Sequence, residues 1–298
     1  MNTAIKETTP DKIFKVFNYS LLTVAMIAVL YPLIFIISAS ISDPAAVNSG
    51  KMWLYPIDIT FEGYQRVFND PKIWVGYRNT IYYTALGTFI NLFVTLPAAF
   101  ALSRRDFIGR NFFMTMFVVT MFLSGGLIPS YLLVKNLGLM NSVWALVIPN
   151  AAAIWHIIVC RTFFQSTIPE DLEDAAKIDG ASIFYFFAKV VLPLSTPIIA
   201  VMALFYGVDH WNSYFNAMIY ISDISKYPLQ LVLREILVLQ EMSTSVNNLD
   251  GAALQNQANI AAIMKYAVML VATLPLIIVY PFMQRFFVQG VMIGSVKG

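Results

Sequence analysis

The chain has 298 residues but very little charge, one cysteine and two histidines. Only 12% of its residues are charged, against about a quarter in an ordinary globular protein. The single cysteine, Cys160, excludes a disulfide framework, and His156 and His210 are too far apart in the chain to favour a histidine-based metal site. A net charge of +2 gives no argument for nucleic-acid binding. Because 58% of the residues are hydrophobic, the composition predicts an integral membrane protein.

The sequence also lacks a phosphate-binding loop of the form Gly-x-x-x-x-Gly-Lys-Ser/Thr. The nearest fragment, Gly50-Lys51, has none of the preceding pattern. If ATP drives this protein, another chain must hydrolyse it. We therefore expect no enzymatic activity, no cofactor and no metal site in this chain, and we interpret His156 as a structural residue.

Long uncharged runs, by contrast, are abundant. A membrane-spanning helix needs about 20 predominantly apolar residues, and the runs are continuous rather than alternating, so they favour helices over strands. The first run is longer than the apolar core of a signal peptide, which predicts an uncleaved helix. The prediction is an all-α integral membrane protein with six transmembrane helices, at about 16–40, 79–103, 111–134, 142–162, 194–217 and 260–284.

The distribution of positive charge predicts the orientation. With a cytoplasmic N-terminus, eleven Lys and Arg residues fall inside and eight outside, and the short inner turn 104–110 alone carries Arg104, Arg105 and Arg110. Both termini, the loop 163–193 and the tail 285–298 are then predicted to be cytoplasmic. The outer loops 41–76 and 222–259 are long, and either solvation or a partner on the outer face accounts for them.

The cytoplasmic loop contains a short predicted helix at about 169–179. Pro169 suits its start, four acidic residues fill its first turns, and Gly180 suits its end. Leu172, Ala175 and Ala176 are spaced to share one face. Helices that lie on anionic lipids are usually basic, so an acidic helix favours a protein partner.

This loop carries a family resemblance. Asp174-Ala175-Ala176, three residues, Gly180, nine residues and Val190-Val191-Leu192-Pro193 resemble the EAA loop of ABC importer permeases, with Asp in place of Glu and Val in place of Ile. The six spans and the ending 284–298 are similar to MalG-type permeases of carbohydrate importers. Gly125-Gly126-Leu127-Ile128-Pro129 with Leu137-Gly138-Leu139-Met140-Asn141 resembles the branch that includes oligosaccharide and alginate importers.

The resemblance implies a type I ABC importer (MetI-like) permease fold, with residues 1–298 as one transmembrane domain in a bacterial inner membrane. It implies a MalF-type second permease, two ATPase subunits that hold ATP and Mg, and an external solute-binding protein, which together move a carbohydrate by alternating access. Residues expected to couple to the ATPase are Glu170, Leu172, Asp174, Ala175, Ala176, Gly180, Leu192 and Pro193, with Gln289, Gly290 and Lys297 as tail contacts.

Polar stripes on two spans mark a candidate translocation path. Asp209, Asn212, Ser213 and Asn216 recur at helical spacing, and polar groups are costly against lipid. Such residues can line a path for sugar hydroxyls, or they can hold helices together by hydrogen bonds; both interpretations stay open, and the second permease can hold most substrate contacts. The candidate path residues are Asn79, Tyr83, Asn91, Tyr206, Asp209, Trp211, Asn212 and Asn216.

Two other classes of protein also remain open. A secondary transporter would need internal repeats and ion-coupling carboxylates, but no repeat is evident and Asp209 is the only acidic residue in the core runs. A membrane enzyme would need a catalytic constellation, and neither histidine has a matching partner pattern. A stable ATPase partner is required only by the importer interpretation.

Overall fold

The structure, a computed structural model, describes residues 8–245, 263–282 and 284, and within these residues all regular structure is helical. The predicted tail contacts Gln289, Gly290 and Lys297 lie outside the described residues. The α-helices are α1 (Thr9–Ser40), α2 (Pro44–Asn48), α3 (Glu62–Asn69), α4 (Pro71–Ser103), α5 (Arg110–Phe122), α6 (Leu127–Asn136), α7 (Trp144–Val147), α8 (Ile154–Thr167), α9 (Glu170–Ile178), α10 (Ile183–Leu194, π-helical at Phe187–Val191), α11 (Thr196–Asn212), α12 (Phe215–Tyr220), α13 (Leu229–Ser245) and α14 (Ile263–Phe282).

Three of these helices, α1, α4 and α14, are each long and apolar enough to cross a membrane. Three further spans form if each bent pair counts as one: α5 with α6, bent by 113°; α7 and its short extension with α8, bent by 52°; and α10 with α11, bent by 81°. The all-α membrane architecture is thus confirmed, and the predicted six spans correspond to three unbroken helices and three bent pairs.

The bends have local causes that a search for uncharged runs does not detect. Between α5 and α6, Gly126 adopts φ 86°, and Pro129 follows in the first turn of α6. Between α10 and α11, Ser195 lies between Pro193 and Pro197, neither of which can donate a backbone hydrogen bond. The predicted spans at 111–134, 142–162 and 194–217 are therefore each interrupted by a bend. Broken helices are tolerated in a membrane where neighbouring groups satisfy the backbone.

Helix α4 begins at Pro71, eight residues before the predicted position 79. Asp70 caps it by accepting a hydrogen bond from the backbone N–H of Lys72 at 2.9 Å, and Pro71 suits the first turn. The charged residues Lys72 and Arg78 ended the uncharged run, but they did not end the helix.

The sequence predicts one domain, and the structure groups the residues into two compact units. In the unit formed by 1–69 and 236–272, Ala39, Val47 and Met52 form a small core. In the same unit, a Cβ atom at Gly63 would lie 2.6 Å from the carbonyl oxygen of Ile263, so α3 and α14 approach closely there.

The unit formed by 70–235 and 273–298 is organised around α4, which packs mainly against α11 and α8. Its larger core joins α4, α8, α10 and α11 through side chains that include Phe100, Cys160, Phe164, Phe186 and Met202. A second core, around Tyr83, Ala145 and Tyr220, joins the other end of α4 to α7 and α12. Both candidate site regions described below belong to this unit.

Candidate coupling helix and translocation cavity

The predicted cytoplasmic helix is α9, and its two ends explain its length. It begins after Pro169, and the acidic residues of its first turn complement the helix dipole. It ends in a Schellman motif, in which the N–H of Gly180 donates to the Lys177 carbonyl (3.1 Å) and the N–H of Ala181 to the Ala176 carbonyl (2.9 Å). Gly180 has φ 72°, which confirms the expected left-handed conformation.

The predicted contact face of α9 is divided between core and solvent. Ala176 is half-buried and packs against the larger core, whereas Ala175 is exposed and Leu172 is 40% exposed. Glu170 and Asp174 are also exposed. At the end of the helix, Ile178 is 85% exposed, a large apolar side chain that the sequence analysis did not single out. The signal available in the sequence was an isoleucine at the last position of an otherwise acidic helix.

Beyond α9, the other predicted coupling residues lie at the bend between α10 and α11. Leu192 is half-buried and packs against the larger core, and Pro193 is exposed. The buried backbone N–H of Ser195 donates to the carbonyls of Val191 (3.0 Å) and Leu192 (3.1 Å). The Leu-Pro pair therefore shapes the bend that leads from the loop 163–193 into α11.

Charged side chains join α9 to the turn that follows α4. Glu173, 6% exposed, forms ion pairs with Arg104 and with Lys177, the latter at 3.0 Å between Nζ and Oε1. Arg105 Nε lies 2.6 Å from Glu170 Oε1 in an exposed pair. These side chains line a polar cavity of about 440 Å³. Sequence analysis identified neither Glu173 nor Arg104 as a site residue, because their pairing joins distant parts of the chain.

Within this cluster, burial lowers the pKa of the Arg104 guanidinium, while the carboxylates of Asp106, Glu170 and Asp174 act to raise it. Arginine remains protonated at any physiological pH. Arg104 is therefore a permanently charged group in a largely buried position, where a carboxylate partner is required.

The candidate translocation residues converge in part. A cavity of about 460 Å³ is lined by the end of α11, the start of α12, the segment before α8 and one side chain of α4. The predicted residues on its wall are Asn91, Tyr206, Asp209, Asn212 and Asn216.

The geometry of this wall differs from the predicted continuous stripe. α11 ends at Asn212, and α12 begins at Phe215. The spacing of Asp209, Asn212, Ser213 and Asn216 assumed one unbroken helix. The chain instead turns at Ser213, and all four side chains still line the same cavity.

The cavity residues differ in how they are held. Asn91 is 1% exposed and donates from Nδ2 to the carbonyls of Asn150 (2.7 Å) and Ala151 (3.0 Å), while its Oδ1 lies 2.6 Å from His210 Nε2. Tyr206 is hydrogen-bonded to Thr95 at 2.6 Å. These two predicted residues therefore tie helices together.

Other cavity residues present polar groups to the open space. Asp209 is exposed within the described chain, and Asn212 donates only within its own helix, to the Val208 carbonyl at 3.0 Å. The cavity wall thus combines two buried residues that connect helices, Asn91 and Tyr206, with carboxylate and amide groups that face the cavity.

Three predicted path residues lie elsewhere. Asn79 donates to the carbonyls of Ser225 (2.8 Å) and Tyr227 (3.0 Å), and the Tyr83 hydroxyl donates to the Lys226 carbonyl (2.9 Å). Both line a separate cavity of about 550 Å³. Trp211 is buried and lines an apolar cavity of about 580 Å³ on another side of α11.

The two histidines contact these buried residues, His210 at Asn91 and His156 at Tyr206. His210 also packs on Gly87, where an added Cβ would come within 2.4 Å of the imidazole. His156 stacks on Phe205 and meets the Tyr206 ring edge-on at 4.4 Å. The sequence analysis missed the contact between Gly87 and His210, although Gly87 precedes Asn91 by one helical turn.

Residues 73–293 match the family described as binding-protein-dependent transport system inner membrane component. This chain belongs to that family. It is 38% identical to Protein LplC of Bacillus subtilis over 98% of this chain and 97% of that protein.

Two further relatives carry more specific descriptions. The polygalacturonan/rhamnogalacturonan transport system permease protein YtcP of Bacillus subtilis is 38% identical over 97% of this chain and 99% of that protein. A solved structure of a bacterial ABC transporter involved in the import of the acidic polysaccharide alginate superposes with a TM-score of 0.84 and 35% identity, covering 95% of this chain and 100% of the other.

Family membership confirms the resemblance found in the loop 163–193. The chain is an inner-membrane permease component of an ABC importer with the MetI-like fold. Membership of an ABC transporter permease family is consistent with the expected non-enzymatic pore subunit and decides against a secondary transporter. Such importers contain a second permease, an ATPase and a binding protein in general.

Proposed function

We propose that this chain pairs with a MalF-type permease, two ATPase subunits and an external binding protein to import an oligo- or polysaccharide by alternating access. The observation that carries the proposal is α9, a short, capped, acidic helix held to the membrane-spanning core by ion pairs and open on its other side. The relatives' descriptions as polygalacturonan and alginate transport components support a saccharide substrate.

In this proposal, α9 is the surface on which an ATPase subunit docks. Glu170, Leu172, Asp174 and Ala175 are exposed and available for contact. Ala176, Gly180, Leu192 and Pro193 act by shaping the helix and the bend that follows it. ATP and Mg are held by the ATPase subunits. When closed, these subunits bind one conformation of the permease better than the other, which shifts the population of permease conformations. Gln289, Gly290 and Lys297 are proposed as further ATPase contacts.

The cavity lined by Asp209, Asn212 and Asn216 is the proposed contribution of this chain to the saccharide path. Amide and carboxylate groups suit the hydroxyl groups of a sugar, and Tyr214 and Phe215 place aromatic rings on the same wall. The lining contains a carboxylate and no Lys or Arg side chain among the described residues. The carboxylates of an acidic saccharide would therefore need positively charged groups outside this cavity.

The test is transport by the reconstituted complex. The two permeases and the ATPase are assembled in proteoliposomes, and the binding protein is loaded in turn with oligogalacturonate, oligoalginate and a neutral oligosaccharide. We expect one class of saccharide to stimulate ATP hydrolysis and uptake together, and omission of this chain to abolish both. Uptake driven by an ion gradient without ATP would contradict the proposal.

A further inference from the structure

The polar cluster between α4 and α9 includes a buried ion pair, Arg104–Glu173, and an exposed one, Arg105–Glu170, and Lys177 also contacts Glu173 (3.0 Å) and Asp106 (3.7 Å). Arg104 and Glu173 keep only 14% and 8% of their side-chain surface accessible, whereas Arg105 and Glu170 keep 80% and 58%. Exposed pairs contribute little because water and salt screen them. A buried pair is different, since removal of either member leaves an uncompensated charge.

Arg104 is also attached to the membrane-spanning core. It is the first residue after α4, and its guanidinium lies 5.6 Å from the centre of the Phe100 ring. That ring packs on Phe187 of α10, with centroids 4.9 Å apart, and on Phe164 of α8, with centroids 6.4 Å apart. The carboxylate of Glu173 thus reaches a group that is fixed to three helices.

Hydrogen bonds from α8 hold the same end of α4. Arg161 Nε donates to the Leu102 carbonyl at 3.0 Å, and Gln165 Nε2 donates to the Ser103 carbonyl at 3.3 Å. These carbonyls belong to the last turn of α4, whose acceptors have no partner within the helix. The end of α4 that receives the ion pair is therefore firmly held.

A second set of contacts connects α4 to the candidate translocation cavity. Asn91 and Thr95 lie on α4 and are bonded to His210 and Tyr206 of α11. Asn91 and Arg104 are thirteen positions apart, about 20 Å along α4, which continues through Pro97 to Ser103. α9, with nine residues, is too short to hold its position without tertiary contacts.

From these contacts we infer that Arg104 is a positioning residue. Through Glu173 it fixes α9 to the end of α4, so that a displacement of α9 by the ATPase moves α4 and, with it, the cavity wall. The inference rests on the proposed function, which places α9 at the ATPase interface. A lysine cannot replace Arg104 fully, because the planar guanidinium engages the carboxylate and the Phe100 ring together.

The experiment uses the complete reconstituted complex with binding protein and the saccharide that stimulates it. Arg104→Glu and Glu173→Arg are each expected to lower stimulated ATPase activity and uptake at least tenfold per assembled complex. Basal ATPase activity should persist. The double variant R104E/E173R restores the opposite charges and is expected to recover most of the stimulation. Arg105→Gln, which alters only the exposed pair, is the matched control and should stay within twofold of the wild type.

A milder variant guards against loss of assembly. Arg104→Lys keeps the charge, so the complex should assemble, but stimulated activity should fall severalfold while basal activity stays. Full stimulation in Arg104→Lys and Arg104→Glu would overturn the inference. So would losses that follow the amount of assembled complex and do not recover in the double variant. A wild-type complex that no saccharide stimulates would instead overturn the proposed function, and the wild-type measurement alone reveals that case.

Discussion

At the scale of single residues, polar side chains inside the membrane-spanning helices serve two purposes. Asn79, Asn91 and Tyr206 are buried and hydrogen-bonded to other segments. Asp209 and Asn216 face a cavity instead. In hydrocarbon an unpaired polar group is costly, so the first group stabilises the bundle, and we propose that the second group contacts what enters the cavity.

Gly180 should tolerate few replacements. Its φ of 72° disfavours a side chain, although no atom lies within 4 Å of the position an added Cβ would take, so the cost arises from the backbone itself. We expect Gly180→Val to cost about 1–2 kcal/mol in local stability and to lower stimulated ATPase activity of the assembled complex. Gly180→Asn is the control, since asparagine accepts this conformation. Equal activity of the two variants would argue against the role of the cap.

Gly87 should be sensitive for a different reason. An added Cβ would come within 2.4 Å of the His210 imidazole, which is held by Asn91 and cannot move away freely. We expect Gly87→Ala to destabilise the complex by about 1–3 kcal/mol, seen as a lower Tm in detergent. Gly207→Ala, where the nearest atom is 3.8 Å away, should leave the Tm unchanged or slightly raised. The prediction fails if both variants melt together.

At the scale of elements, helix breaks position the functional groups. The turn at Ser213 between α11 and α12 gathers Asp209, Asn212 and Asn216 around one cavity, whereas the bend at Ser195 leads from the loop 163–193 into α11. Each break lies where backbone hydrogen bonding is interrupted, and such breaks are tolerated where they line a cavity or are covered by protein.

The two kinds of polar residue should separate in a mutant comparison. Asn79→Ala removes two hydrogen bonds to the segment 225–227, each worth about 1 kcal/mol, and should lower thermal stability and assembly without changing transport per complex. Asn216→Ala should leave assembly unchanged and reduce saccharide uptake. Uptake and thermal stability of the purified complexes, measured together, check both expectations. If Asn79→Ala instead reduced uptake per complex and Asn216→Ala lowered thermal stability, Asn79 would belong to the translocation path and Asn216 would stabilise the bundle.

At the scale of the whole molecule, the ion pairs place the turn 104–106 and α9 on the same side of the membrane. The excess of Arg residues in the turn 104–110 favours the cytoplasm for that side. We therefore propose that α9 and both termini are cytoplasmic and that the loop around Lys51 is external.

Cysteine labelling tests this orientation. Cys160 is fully buried, so the wild-type chain should give no labelling background. Lys51 and Lys189 are exposed. Lys51→Cys should react with a membrane-impermeant maleimide on intact cells, and Lys189→Cys only after permeabilisation. Labelling of Lys189→Cys on intact cells would reverse the proposed topology.

The sequence alone was sufficient for the membrane class, the helical architecture and the short acidic helix that is capped at Gly180. These features are local. The length of an uncharged run indicates whether a helix can cross a bilayer. An acidic first turn and a later glycine indicate where a helix begins and ends. The spacing from Asp174 to Pro193 was enough to indicate the family, which the comparison confirmed.

Only the tertiary structure decided which polar residues pair and which face a cavity. Arg104 meets Glu173 across 69 positions of sequence, and Asn91 meets His210 across 119. Periodicity within one helix shows which residues share a face, but it does not show which helix packs against that face. Helix periodicity grouped Asp209 and Asn216 correctly, although for a helix that is in fact broken between them. The buried Arg104–Glu173 pair had no local signal, because its physical cause is the packing of α9 against the end of α4.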